Sequence, residues 1–185
     1  MTEDDTKQFL NGRVVVLVGD ITRQQTDAIV NAANSSLMGG AGVDGAIHRA
    51  GGAQILEACH EIRRARFPQG LPTGGAVITT GGRLPARHVI HTVGPIYGQH
   101  AGREAELLAS CYQNSLALAV EQGLASIAFP AISTGVYGYP REEAAAVSST
   151  AIRNFLDGEE SAPRVHLVFF KPDDMDAFLS NHRFD

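Results

Sequence analysis

No run of 18 apolar residues occurs in this 185-residue chain, so no segment reads as a membrane-spanning helix. The first residues, Met1 to Lys7, are polar and acidic and lack the basic-then-apolar order of a secretory signal, which sets the expectation of a cytoplasmic protein. Without secretion, the glycosylation pattern Asn34-Ser35-Ser36 carries no meaning. Cysteine is scarce: Cys59 and Cys111 show neither CxxC spacing nor the histidine pattern of a zinc site, and both are expected as reduced thiols on helices. Runs of lysine or arginine are missing as well, and the formal net charge is −5. That balance argues against nucleic-acid binding through a basic face. Any anionic ligand must then be held mainly by backbone amides.

The composition, 44% hydrophobic and 19% charged, suits a folded soluble domain, expected over residues 10–182 behind a polar extension at 1–9. Val14-Val15-Val16-Leu17-Val18 is a continuous β-branched run, as in a strand covered on both faces. Further strands are expected at Ala28 to Asn31, Ala76 to Thr80, His88 to Thr92, Ser126 to Phe129 and Val165 to Phe170. Helical patterns lie between them, near Val43 to Ala50, Ala53 to Arg64, Arg103 to Gln122, Pro140 to Leu156 and Asp173 to Leu179. In the third, Leu108, Tyr112, Leu116 and Ala119 form one apolar face, and Gly123 stands where the helix should stop. Pro140 is expected at the first position of its helix, with Glu142 and Glu143 complementing the dipole. Alternating strands and helices predict a three-layer α/β fold with a mostly parallel sheet.

Two loops at strand ends carry the chemistry. Gly39-Gly40-Ala41-Gly42-Val43-Asp44-Gly45 joins the second strand to a helix, and its glycines let backbone N–H groups approach a phosphate. It satisfies GxGxxG, but it does not follow the first strand, and no strand-ending acid lies downstream, so a Rossmann site is disfavoured. An acid inside a phosphate cradle is unexpected if anion binding is the only task. The second loop, Ser133-Thr134-Gly135-Val136-Tyr137-Gly138-Tyr139, offers hydroxyls and successive amides that form an anion nest. A diphosphate held from both sides is the natural occupant, and two unrelated tight turns are the alternative.

Other residues admit two readings each. Asp20 is either an acceptor for an exocyclic amine or a turn acid capping the next segment. Phe170 either stacks on a base or packs in the core. Asn31 and Asn34 either orient a ribose hydroxyl or a water, or serve the turn. His48 and His91 lie nearest the proposed crevice and read first as satisfied core histidines.

The runs Gly19-Asp20-Ile21-Thr22, Asp27 to Asn34, Gly42 to His48, Val89 to Pro95 and Phe129 to Gly138 resemble a macrodomain in order and spacing, over about Val14 to Phe170. The acid in Gly-Val-Asp-Gly is similar to the MacroD-type branch, whose members hydrolyse ADP-ribose esters. Ala41 departs from the glycine found in many relatives, and Gly81 to Pro85 lacks an aromatic often found before Leu-Pro. The resemblance implies an α/β/α sandwich around a mixed sheet of about six strands, with ADP-ribose in one crevice. It implies that Asp20 takes the adenine amino group, Ile21 a ring nitrogen through its backbone, and Phe170 the stacking position. Gly42, Val43 and the loop of Ser133, Thr134, Gly135, Val136 and Tyr137 would hold the diphosphate and distal ribose. Asn31 falls in the same ligand-binding group, and Asn34 would bond a ribose hydroxyl.

The implied reaction is hydrolysis of an ester on the distal ribose, without cofactor or metal, in ADP-ribosylated Asp or Glu of proteins and in O-acetyl-ADP-ribose. Asp44 would orient or deprotonate the water, alone or with a substrate phosphate oxygen, Asn34 would fix the ribose and Tyr137 would pack against it. The alternative is a module that binds ADP-ribose without cleaving it.

Overall fold

The structure, a computed structural model, describes residues 6–184. Seven strands form one sheet: β1 (Lys7–Phe9), β2 (Val14–Val18), β3 (Ala28–Ala33), β4 (Ala76–Thr80), β5 (His88–Val93), β6 (Ser126–Phe129) and β7 (Arg164–Phe169). Their order is β1-β2-β7-β6-β3-β5-β4. The five inner strands run parallel, while β1 and β4 close the edges antiparallel. Five helices cover it: α1 (Gly42–Gly51), α2 (Ala53–Arg66), α3 (Glu104–Glu121), α4 (Arg141–Gly158) and α5 (Pro172–Asn181).

The expected mixed, mostly parallel sandwich is thus observed, with one strand more than the resemblance implied. The extra strand is β1, which lies in the stretch expected as a polar extension and pairs Lys7 with Val16. Three residues of mixed polarity on an edge give no periodic signal, so only the pairing reveals them. Pro140 is the residue before α4 rather than its first position, with φ −57° and ψ 131°. Its backbone is extended, and Arg141 opens the helix.

Period-two alternation sorts each inner strand between two apolar layers. Ala28 and Val30 of β3 face the layer that holds Leu108 and Leu116 of α3 and Ile152 of α4. Ile29 and Ala33, on the other face, join Ile47 of α1 and Ile55 and Cys59 of α2. The chain therefore leaves β3 toward one face and leaves β6, its neighbour, toward the other. Two adjacent parallel strands with opposite exits open a crevice at their C-terminal ends, where open α/β sheets take ligands.

At the opposite end of the sheet a single carboxylate ties three strands together. Asp27 Oδ2 accepts from the backbone N–H groups of Ala125 at 2.8 Å and Ser126 at 3.1 Å, at the start of β6, and Oδ1 pairs with Arg87 at 2.6 Å, ahead of β5. The Arg87 guanidinium is the main cause holding the Asp27 carboxyl below its ordinary 3.8, with the two amides adding to it. A depressed folded value means that this contribution is present above 3.8 and fades as pH falls below it. Asp27→Ala is expected to destabilise the fold by about 1–3 kcal/mol. Differential scanning calorimetry at pH 7 should show the melting temperature lowered, and the gap to the parent should narrow below pH 4.

Candidate active site

The crevice, of about 320 Å³ and open to solvent, lies between the loop after β3 and the loop after β6. Asn34, Gly42, Val43 and Asp44 line one side, and Ser133, Gly135, Val136 and Tyr137 the other. Among the described residues, no lysine or arginine lines it. Anion-holding capacity comes from the backbone instead. Ala41 precedes α1 with no side-chain cap, so the first amides of the helix point unpaired into the crevice with the positive end of the dipole behind them. Gly42 sits at φ +59°, which aims its amide there at little cost to glycine.

Across the crevice, Ser133 holds φ +65°, a conformation that costs a non-glycine residue about 1–3 kcal/mol. Its buried Oγ finds no hydrogen-bond partner among the described residues. Tyr139 N–H closes the loop onto the Ser133 carbonyl at 3.0 Å, and Tyr97 N–H anchors it by donating to the Tyr137 carbonyl at 2.9 Å. Val136 is left 97% exposed at the loop tip. Thr134 lines a neighbouring cavity between the ends of β6 and β7 and the helices α4 and α5, and it is not among the residues lining the crevice.

Asp44 is 4% exposed, in the first turn of α1. Its Oδ1 accepts from Asn31 Nδ2 at 2.7 Å and stands 3.3 Å from His48 Nε2 one turn along the helix. Its Oδ2 is turned toward Gly40, where an added Cβ would meet that oxygen at 3.0 Å and Asn34 Nδ2 at 3.3 Å. One oxygen is fixed and the other faces the loop. Asn34 fulfils its turn reading and still lines the crevice: Oδ1 accepts from Ser36 N–H and Oγ–H, and Nδ2 donates to the Gly39 carbonyl at 3.0 Å.

Asn31 corrects the sequence reading. It is 0% exposed and does not line the crevice, so it cannot touch a ligand there. The strand alternation that aims Ile29 at α1 aims Asn31 the same way, and its amide holds Asp44 and reaches His91 Nδ1 at 3.1 Å. His91, directly opposite Asn31 in register, contacts Thr79 Oγ1 through Nε2 at 2.9 Å. Burial, with His48 adding to it, pushes the His91 imidazole down to about 3, so the ring is neutral.

The cysteines are free and buried, on α2 and α3 as expected. The fold nonetheless brings Cys59 close to His48 and His91, with one donor atom of each within 4.8 Å of the others, a cluster that spacing did not reveal. Both ring nitrogens of His91 are already engaged by Asn31 and Thr79, so the cluster is not an open set of metal donors.

Along the same end of the sheet, outside the residues that line the crevice, Asp20 caps the short 3₁₀ turn Ile21–Arg23, its Oδ1 accepting from Thr22 N–H at 2.9 Å and Oγ–H at 2.7 Å. The capping reading is realised, and Oδ2 accepts no hydrogen bond among the described residues. Ile21 is buried beside Val43 and leads the turn, where its N–H has no partner within the turn. Phe170 follows β7 and is 78% exposed, which excludes core packing. Gly19 N–H donates to the Phe169 carbonyl at 2.8 Å, which sets Asp20 beside Phe170. From β2 across β7 and β6 to β3 is three strand spacings, about 14 Å. An exposed aromatic, a pair of loops offering backbone amides and a fixed carboxylate therefore succeed one another along the sheet end.

These features define an α/β sandwich with a backbone-built anion crevice at a topological switch point. The Macro domain model matches residues 30–148, and the chain belongs to the macrodomain family. It is 56% identical over 161 residues to an O-acetyl-ADP-ribose deacetylase of Citrobacter rodentium, covering 87% of this chain and 90% of that one. It is 58% identical over 159 residues to a macro domain-containing protein of Streptomyces griseus, covering 85% and 88%. Among solved structures, the Oceanobacillus iheyensis macrodomain with ADP superposes with a TM-score of 0.88 at 48% identity, covering 91% and 88%. The Trypanosoma brucei macrodomain in complex with ADP-ribose gives 0.82 at 38% identity, covering 91% and 68%.

Burial raises the Cys59 thiol to about 12 and the Cys111 thiol to about 11. Neither should react with an aromatic disulfide reagent at pH 8 while the protein is folded, whereas both should react at once in urea. Absorbance of the released thiolate checks this.

Proposed function

We propose that this chain hydrolyses ADP-ribose esters: O-acetyl-ADP-ribose, and ADP-ribose joined to aspartate or glutamate side chains of proteins. The observation that carries the reading is Asp44, a buried carboxylate with Oδ1 fixed by Asn31 and Oδ2 turned to the mouth of a phosphate cradle. Anion binding alone has no use for a negative group there. The names and bound ligands of the relatives support the substrate class.

In this reading the diphosphate spans the amides of Gly42 and Val43 and the loop of Ser133 to Tyr137. Asn34 meets the distal ribose and Tyr137 packs against it. Adenine stacks on Phe170, its amino group faces Asp20, and a ring nitrogen takes the Ile21 N–H. Asp44 orients a water toward the ester, alone or with a substrate phosphate oxygen, and accepts or relays its proton. For the acetyl ester, the water oxygen bonds to the acyl carbon, the bond to the ribose oxygen breaks, and that oxygen receives the proton. The products are acetate and ADP-ribose. General-base help of this kind is worth about 10²–10⁴-fold.

Asp44→Ala is therefore expected to lower turnover of O-acetyl-ADP-ribose by about 10²-fold or more while binding ADP-ribose within a few fold of the parent. Calorimetric titration and a coupled assay for free ADP-ribose separate the two, and turnover kept within a few fold would refute the role. Phe170→Ala should do the reverse, weakening ADP-ribose by about 1–3 kcal/mol through lost stacking. Because Phe170 is exposed, its melting temperature should not change.

A further inference from the structure

We infer that Thr79 and His91 are positioning residues for Asp44, through a buried relay that dictates which atom of Asn31 faces the carboxylate. The inference rests on Asp44 as the hydrolytic carboxylate. Asn31, His91 and Thr79 come from the adjacent strands β3, β5 and β4 and point to the same face, among Ile29, Val77 and Val89. Three polar groups in a row through an apolar layer satisfy one another, save Asn31 Oδ1, which finds no partner among the described residues.

The direction of each hydrogen bond follows from the two ends of the row together. Thr79 Oγ1 lies 3.1 Å from the Thr80 carbonyl and 3.5 Å from the Val89 carbonyl. Both are acceptors, and with its proton given to either of them the hydroxyl oxygen keeps lone pairs to receive a further hydrogen bond. The Asp44 carboxylate only accepts, so Asn31 presents Nδ2 to it and to His91 Nδ1, and the imidazole proton falls to Nε2, 2.9 Å from Thr79 Oγ1, to which it donates. The neutral ring has one proton, so Nδ1 is bare and accepts from Asn31 Nδ2 at 3.1 Å. That fixes the Asn31 amide with Nδ2 inward, and its second proton reaches Asp44 Oδ1 at 2.7 Å.

Reversing the His91 tautomer reverses the chain. Nδ1–H would demand an acceptor, the Asn31 amide would turn, and Asn31 Oδ1 would face Asp44 Oδ1 across a hydrogen-bond distance. Two oxygens with no proton between them repel, and the carboxylate leaves its position. Thr79 prevents this. When its hydroxyl is removed, the remaining neighbour of Nε2 is the Cys59 thiol at 3.7 Å, a poor acceptor whose S–H can instead donate to a bare Nε2, so the hold on the Nε2–H tautomer is lost. Thr79 does not line the crevice, so its effect on a bound ligand passes through this relay.

The test compares the parent with Thr79→Val, which keeps the side-chain shape, and with Thr79→Ser, which restores the hydroxyl. Thr79→Val should lower kcat for O-acetyl-ADP-ribose about tenfold or more, with KM and the Kd for ADP-ribose within twofold, as for an approximately 1 Å misplacement of a reacting group. Thr79→Ser should recover most of that loss. Nitrogen-15 NMR of the histidines should show His91 as the Nε2–H tautomer in the parent and as Nδ1–H in Thr79→Val. Unchanged kcat in Thr79→Val, equal loss in Thr79→Ser, parallel loss of ADP-ribose binding, or an Nδ1–H ring in the parent would each overturn the positioning role. Asp44→Ala separates the two levels. If it keeps turnover, the functional reading falls and the positioning role with it, whereas loss in Asp44→Ala alone overturns the positioning role only.

Discussion

The bond from Asn31 Nδ2 to Asp44 Oδ1 is the constraint around which the crevice is organised. A carboxylate that is almost wholly buried costs several kcal/mol unless donors replace the lost water. Here the donors are the Asn31 amide and the positive end of α1, in whose first turn Asp44 stands. Holding one oxygen this way leaves the other with a defined direction. That direction requires Gly40, since a side chain there would press on Asp44 Oδ2 and on Asn34. It also requires Asn31 on the α1 face of β3, so that its side chain arrives beneath the helix rather than in the crevice.

The anion crevice follows from the topology more than from charge. With net charge −5 and no basic side chain on the described lining, attraction for a diphosphate must come from helix-end amides and the nest after β6. β3 and β6 are neighbours whose chains depart to opposite faces, and the gap between them is where those amides converge. Ser133 keeps a strained backbone and an unpaired buried hydroxyl at that point, both of which a bound anion would put to use. Farther along the sheet end, Phe170 stands exposed beside Asp20, where the proposed reading seats the adenine.

Much of this was legible in the sequence because its signals are local. The β-branched run at Val14 to Val18 marks a covered strand, and the glycine loop and the Ser133 to Tyr139 loop sit where strands end. Asp44 stood out as an acid in a phosphate cradle. What escaped needed neighbours in space. β1 is three residues on an edge, visible only in its pairing with β2. Asn31 reads as a ligand residue beside Asn34, yet alternation turns it inward. A polar residue inside an apolar strand was the available clue for Asn31, His91 and Thr79. Only the strand order shows that the three form one row. The approach of Cys59 to the two histidines likewise depends on how α2 packs on the sheet.

Whether the fixed carboxylate performs chemistry or merely stands beside a bound nucleotide is decided by one measurement on the unaltered chain. O-acetyl-ADP-ribose at substrate excess is incubated with it, and free ADP-ribose is followed by chromatography. Hydrolysis predicts many equivalents of ADP-ribose and acetate released per protein molecule. Tight binding of ADP-ribose with no release above the protein-free rate would contradict the account and leave the chain a binding module.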